Sequence, residues 1–190
     1  MINARASFTS RVLAWAAIPV VASVLVAGCA GGGGASGGTT PGGEATEGKA
    51  AAELSVTPVT GEGPKSLAEA KGKVVIVDFW ATYCDPCRKS FPKYQEMVDQ
   101  FGGDLAVIAV SVDDPSDVQE DKLKDFAKET GVKFSVVWDK EHKTAGLYNP
   151  PKMPTSFIID KDGNIVHRHA GYESGEEDKI AEEVKALLGK

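Results

Sequence analysis

The sequence is poor in cysteine and contains no block of basic residues. Only 3 cysteines occur in 190 residues, fewer than a small disulfide-stapled domain needs, and their odd number indicates that one has a separate role. The formal net charge is −6, and the lack of a Lys/Arg cluster in the folded part argues against a nucleic-acid partner. With 42% hydrophobic residues, the chain can still form a packed core.

Acidic residues are also missing from the N-terminal region until Glu44. Arg5 and Arg11 precede an apolar stretch over residues 12–27. This pattern predicts an export signal over residues 1–28. A transmembrane anchor is the alternative, but the stretch is short for a span of about 20 residues and a glycine-rich tract follows it. The run Leu25-Val-Ala-Gly-Cys29 resembles the bacterial lipoprotein signal. That resemblance implies a lipid-anchored, extracytoplasmic (periplasmic) protein whose lipid is attached to Cys29.

Two further segments follow the predicted signal. Gly, Ala, Thr and Ser dominate from Ala30 to about Ala52, and such a composition buries too little apolar area to offset its ordering entropy. We therefore expect residues 29–53 to be the lipidated cysteine with a flexible tether, and residues 54–190 to be the folded domain.

Strands and helices are predicted to alternate in the folded domain. Val74–Trp80 is a continuous apolar run, typical of a central strand buried on both faces. The other expected elements are a leading hairpin (54–59 and 65–67), strands 105–112, 134–138, 156–160 and 165–170, and three helices: one from Cys84 to Phe101, one opened by Pro115, and a last one carrying Ile180, Val184, Leu187 and Leu188. This order predicts an α/β fold with a central mixed β-sheet flanked by helices.

The run Cys84-Asp85-Pro86-Cys87 stands where a buried strand gives way to a helix. Two intervening residues let both sulfurs meet at the first helical turn, where unpaired backbone N–H groups stabilise a thiolate. Cys84 is therefore the expected nucleophile, and Cys87 the thiol that resolves a mixed disulfide. Half of a zinc site is one alternative, but only His142, His167 and His169 remain as ligands in the domain. An inert structural disulfide is another, but so short a loop contributes little stability.

The segment around these cysteines, Val77-Asp-Phe-Trp-Ala-Thr-Tyr-Cys-Asp-Pro-Cys-Arg-Lys-Ser-Phe-Pro92, resembles the active site of the thioredoxin superfamily. Its flanks are most similar to the TlpA/ResA-like disulfide reductases. The resemblance implies a thioredoxin-like fold, no metal, and no cofactor besides the redox-active disulfide. It further implies that Met153-Pro154 forms the cis-proline loop facing the cysteines, with the Met153 backbone pairing with the substrate. Trp80 and Tyr83 are expected to shield the cysteines and contact the substrate.

Asp78, six residues before Cys84, matches the buried aspartate of thioredoxin. Burial without a cationic partner should raise its pKa, which suits a proton acceptor for Cys87; a strand-end residue facing solvent is the alternative. Ser90 departs from the family pattern, because many ResA-like proteins carry a glutamate there. That departure puts the recognition role of the glutamate in doubt for this chain.

Other polar residues are weaker candidates. His167 and His169 share one strand face and could bind a metal, although an exposed edge strand is the favoured interpretation. Asp113 and Asp114 precede Pro115 and are interpreted as a helix cap rather than a cation site.

The function predicted from these observations is dithiol–disulfide exchange with extracytoplasmic protein disulfides. Pro86 and the charge of Asp85 favour a reductant, because neither stabilises a thiolate. A reductant requires an electron donor on the membrane, and the resemblance implies the haem-binding cysteines of apocytochrome c as candidate substrates. A peroxiredoxin-like peroxidase and a thioredoxin-like copper-delivery protein are the alternatives, but the sequence lacks the Pro-x-x-x-Thr-x-x-Cys setting of the first and the three-residue cysteine spacing of the second.

Overall fold

The computed structural model describes residues 45–190, so the predicted signal and Cys29 lie outside the described residues. Six strands and four α-helices occur in them: β1 (Thr57–Thr60), β2 (Val74–Trp80), α1 (Asp85–Phe101), β3 (Leu105–Ser111), α2 (Glu120–Thr130), β4 (Ser135–Trp138), α3 (Lys143–Tyr148), β5 (Thr155–Ile159), β6 (Ile165–Ala170) and α4 (Glu176–Leu188). Within residues 45–190, no helix is both long and apolar enough to cross a membrane.

The six strands form one mixed sheet in the order β1-β4-β3-β2-β5-β6. The central strands β2, β3 and β4 are parallel, whereas β1, β5 and β6 run antiparallel to their neighbours. β2 and β3 are buried along their whole length because helices or loops cover both faces of the sheet, which explains their continuous apolar sequence. The predicted central mixed sheet is therefore confirmed.

Two hydrophobic clusters lie on opposite faces of the sheet. One contains alternate residues of β2 (Val74, Ile76 and Trp80) and is covered by α1, α2 and α4. The other contains Val75, Val77 and Phe79 and is covered by α3 and the segment before β1. The two-residue period of a strand separates these sets, so Asp78 lies on the face that α1 covers.

Two predictions about the elements are wrong: the leading hairpin and the start of α2 at Pro115. Residues 65–67 form a turn instead of a hairpin strand, because the Ser66 hydroxyl accepts the Glu69 N–H and the Glu69 carboxylate accepts the Lys65 N–H. β1 pairs with β4, so the leading hairpin does not exist. Pro115 does not open α2, which begins at Glu120.

The late start of α2 has a local cause. The Asp114 carboxylate accepts the Ser116 N–H at 2.8 Å, and its carbonyl accepts the N–H groups of Asp117 and Val118. These bonds hold a turn instead of a helix start. The short helix α3 was absent from the prediction, because its single turn and a half is too short for a helical period to show.

The described part of the predicted tether is also ordered. Backbone bonds join Gly48 and Lys49 to Ile165, and Ala51 to Gly163, while Ala50 forms an isolated bridge with Asn164. Residues 48–51 thus lie along the β5–β6 turn and the start of β6, while the Ala45 N–H donates to the Leu147 carbonyl and the Ala52 carbonyl accepts the Tyr148 hydroxyl. Small side chains allow this close approach of two backbones, so at residues 45–53 the flexible-tether prediction is wrong.

Candidate active site

A disulfide between Cys84 and Cys87 lies at the N-terminus of α1. Cys84 is the N-cap residue, and its sulfur lies 3.2 Å from the backbone nitrogen of Cys87. Cys84 keeps 6% of its surface exposed, whereas Cys87 is completely buried. Only the first sulfur can therefore meet a macromolecular substrate, and the helix terminus favours its thiolate form after reduction.

The loop that presents Cys84 is held by a buried carboxylate. Asp113, which follows β3, accepts hydrogen bonds from the backbone and hydroxyl of Thr82 and from the Ser111 hydroxyl, at 2.6–3.1 Å. The indole of Trp138 donates to the Asp113 carbonyl. Interpreting Asp113 as a helix cap was wrong, because its carboxylate turns toward β2 instead of α2. The sequence signal for this role of Asp113 was its position directly after a parallel strand, because functional residues of α/β sheets lie at the carboxyl ends of the strands.

The loop before β5 has the geometry that the resemblance implies. The Met153–Pro154 peptide bond is cis, and Pro154 is buried. Met153 is partly buried and packs against the cluster that contains both cysteines. The backbone role of Met153 toward a substrate stays a prediction.

Asp78 is fully buried on the face of β2 that α1 covers. Burial raises the pKa of its carboxyl to about 7, while the nearby hydroxyl groups of Ser156 and Tyr94 act in the opposite direction. Its Oδ1 accepts the Ser156 hydroxyl at 2.6 Å, and its Oδ2 has no partner within the described residues. The solvent-facing alternative is excluded. A carboxyl that titrates near neutral pH can exchange a proton with a thiol.

The two aromatic residues before the cysteines differ in exposure. Tyr83 is 71% exposed, as a substrate contact requires. Trp80 is fully buried, with its ring 5.1 Å from Phe91 and 4.5 Å from Phe126 between centroids. The predicted substrate contact of Trp80 is therefore wrong, because Phe91 of α1 and Phe126 of α2 pack against its buried ring.

His169 is not on an exposed strand face. Its ring lies between two carboxylates of α4, with Nε2 2.7 Å from Glu183 and Nδ1 3.3 Å from Glu176. His167 is partly exposed and lies 3.8 Å from the Glu183 carboxylate. Strand β6 lies at the edge of the sheet, but α4 packs over the C-terminal end of β6, which carries His169. No group of three or more potential ligands suited to a metal ion occurs in residues 45–190.

Ser90 lies on the buried face of α1, in the second turn of the helix. Its hydroxyl donates to the Cys87 carbonyl at 3.3 Å. Ser90 lines a narrow cleft together with Tyr94, Pro154 and Ser156. The carboxylates of this cleft are Glu176 and Glu177, which belong to α4 instead of α1. Sequence reasoning missed Tyr94 and Ser156, because a tyrosine on a helix and a serine on a strand carry no motif.

Similarity to known proteins agrees with this geometry. The AhpC/TSA family model matches residues 48–168. The thiol-disulfide oxidoreductase ResA of Bacillus cereus is 36% identical over 130 residues, which cover 68% of this chain and 73% of that protein.

Two solved structures share the fold. A thiol:disulfide interchange protein of the thioredoxin family from Chlorobium tepidum has a TM-score of 0.62 at 27% identity, and the match covers 74% of this chain and 97% of that one. An exposed lipoprotein thioredoxin from Streptococcus pneumoniae has a TM-score of 0.59 at 29% identity, covering 71% and 99%. The thioredoxin-like fold predicted from the cysteine segment is confirmed.

Proposed function

The chain belongs to the AhpC/TSA family of the thioredoxin superfamily, among the ResA-like thiol–disulfide oxidoreductases, and we propose that this protein reduces disulfides of exported proteins. The observation that carries the proposal is the Cys84–Cys87 pair at the start of α1, with one sulfur reachable and the other buried. The haem-binding cysteines of apocytochrome c are one candidate substrate.

The reaction proceeds in two exchange steps. The Cys84 thiolate attacks one sulfur of the substrate disulfide, which breaks that bond and releases the other sulfur as a thiolate. Cys87 then loses its proton to Asp78 and attacks the Cys84 sulfur. The Cys84–Cys87 bond forms, and the second substrate sulfur leaves. Two electrons pass from the cysteine pair to the substrate, and a membrane electron donor restores the dithiol.

The residues between the cysteines support the reducing direction. Pro86 has no N–H to donate, and Asp85 places a negative charge in the first turn of α1. Both leave the Cys84 thiolate less stabilised, which favours the disulfide form and lowers the reduction potential. We expect a potential below about −200 mV, against about −120 mV for a strong oxidant. A value near the latter would reverse the direction.

A trapping experiment tests the exchange itself. Cys87→Ser in the full chain should accumulate a mixed disulfide with a reducible protein such as insulin, because the resolving thiol is missing. Cys84→Ser is the matched control, since it keeps Cys29 and Cys87 and should trap nothing. Equal trapping by both variants, or consumption of hydrogen peroxide without disulfide reduction, would contradict the proposal.

We also propose that the domain lies in the periplasm and is held at a membrane surface by a lipid on Cys29. The sequence before Cys29 supports this proposal, and the Streptococcus pneumoniae relative is an exposed lipoprotein. A single acyl chain adds about 0.8 kcal/mol of membrane affinity per buried CH₂. Cys29→Ser should move the protein from the membrane to the soluble fraction; unchanged fractionation would contradict the anchor.

A further inference from the structure

A row of polar side chains crosses the sheet beneath α1. Asp78 on β2 pairs with Ser156 on β5, and Ser156 pairs with His169 on β6. Directly paired residues of antiparallel strands point to the same face. That face is the one covered by α1 and α4, in the same layer as the buried Cys87. The row therefore extends from the catalytic layer to the edge of the sheet.

Two hydroxyl groups link the buried end of this row to a helix. The Ser156 hydroxyl lies 2.6 Å from Asp78 Oδ1 and 2.7 Å from the Tyr94 hydroxyl. A serine hydroxyl carries one proton, so while it donates to the Asp78 carboxylate it must accept from Tyr94. With Asp78 ionised, Tyr94 therefore donates to Ser156 and Ser156 donates to Asp78. When Asp78 carries a proton the hydroxyls reorient, so that Asp78 donates to Ser156 and Ser156 donates to Tyr94.

The other end of this hydroxyl chain reaches the cleft beside the cis-proline loop. Tyr94 and Ser156 both line that cleft, together with Pro154, Glu176 and Glu177. Asp78 does not line it and is fully buried. Within residues 45–190, the two hydroxyls are thus the hydrogen-bonded connection between the Asp78 carboxyl and the cleft.

We propose that Ser156 and Tyr94 are positioning residues that orient the Asp78 carboxyl and relay its proton to the cleft. The inference rests on the proposed function. When Cys87 attacks Cys84, its proton passes to the Asp78 carboxylate. The proton on Asp78 then moves to the Ser156 oxygen as the serine proton moves to Tyr94 and the tyrosine proton to water in the cleft. The carboxylate is restored for the next turnover.

Several titratable groups face this path. The helix α1 contributes Cys87 and Tyr94, and β6 contributes His169, which pairs with Glu183 of α4. Glu176 and Glu177 of α4 line the cleft together with Tyr172, whose hydroxyl donates to Glu177. Burial and the nearby Asp78 raise the pKa of Tyr94 well above its usual value. Tyr94 therefore stays protonated and passes a proton on without holding a negative charge.

The test is the pH dependence of a single turnover. The reduced full chain is mixed with glutathione disulfide, and release of the second glutathione reports resolution by Cys87. Ser156→Ala should move the acidic limb of the rate profile upward by about one pH unit, because Asp78 loses the bond that favours its charged form. Tyr94→Phe should move it in the same direction by less, and Ser156→Thr, which keeps the hydroxyl, should restore it.

Matched controls separate this role from a structural one. Tyr148→Phe removes another buried hydroxyl, which donates to Ala52, and Ser135→Ala removes one that donates to Glu62. Neither control substitution should shift the acidic limb of the rate profile. An unmoved profile in Ser156→Ala and Tyr94→Phe, or equal movement in the controls, would overturn the relay alone. A wild-type chain that releases no glutathione would overturn the proposed function instead.

A direct titration covers the case in which Ser156→Ala does not fold. The ¹³C resonance of the Asp78 carboxyl should titrate at higher pH in Tyr94→Phe than in the wild type and Ser156→Thr. Identical titrations in all three would overturn the inference.

Discussion

Asp78→Asn should stabilise the oxidised fold at alkaline pH and slow its turnover at neutral pH. The substitution keeps the shape of the side chain, including an oxygen that can accept the Ser156 hydroxyl, but removes a charge that is completely buried. Opposite effects on stability and activity from one buried atom cannot result from a general disturbance of the fold.

The magnitude follows from the raised pKa of Asp78. Its ordinary value is 3.8, and in the folded chain it is about 7. Between these values the folded state holds a proton that the unfolded state has released, so stability falls as pH rises through this window. The difference between the two pKa values lowers the free energy of unfolding by about 4 kcal/mol once Asp78 is ionised in both states. Of this loss, about 3 kcal/mol arises between about pH 4.5 and pH 8. Below pH 3.8 the contribution vanishes.

The measurement is urea unfolding of the full chain, oxidised, at several pH values across that window. The free energy of unfolding of Asp78→Asn minus that of the wild type should rise by about 3 kcal/mol from about pH 4.5 to pH 8. Asp125→Asn, at an exposed site on α2, should leave the wild-type pH dependence in place. A difference that stays constant with pH would refute the buried-charge reasoning.

Two further predictions concern the loop before α1 and a backbone contact. Asp113→Ala leaves the donors of Thr82 and Ser111 without their acceptor, so we expect a loss of about 3 kcal/mol and slower mixed-disulfide formation by Cys84. Asp114→Ala removes only the exposed bond from the Ser116 N–H, so it should cost about 1 kcal/mol and leave mixed-disulfide formation unchanged. Gly61→Ala would place a methyl group 1.8 Å from the Phe134 carbonyl oxygen at a φ of +86°, whereas Gly72→Ala at +82° meets nothing within 4 Å. Urea unfolding should show about 1 kcal/mol lost at Gly72 and clearly more at Gly61; equal losses would contradict the clash.

Strands buried on both faces were predictable from the sequence, and surface turns were less so. Val74–Trp80 is apolar at every position except Asp78 because both faces of its strand are covered, so the apolar run itself indicated a central strand. The turn at residues 65–67 and the delayed start of α2 depended on side-chain bonds from Ser66 and Asp114, which compete with regular structure over a few residues.

The sequence by itself determined the chemistry and the family, because both reside in one contiguous segment. Cys84, Cys87 and the Asp78 of the preceding strand are close along the chain, so local structure alone brings them to one end of a strand and the start of a helix. The environment of the cysteine pair was decided only by tertiary structure.

Asp113, Ser156 and Tyr94 lie on three different elements and meet this site only when β3, β5 and α1 pack together. Tertiary packing also covered Trp80, paired His169 with α4, and ordered residues 45–53. None of these contacts leaves a periodic trace in the sequence, because each joins residues that are far apart along the chain and is decided by which faces the layers bury.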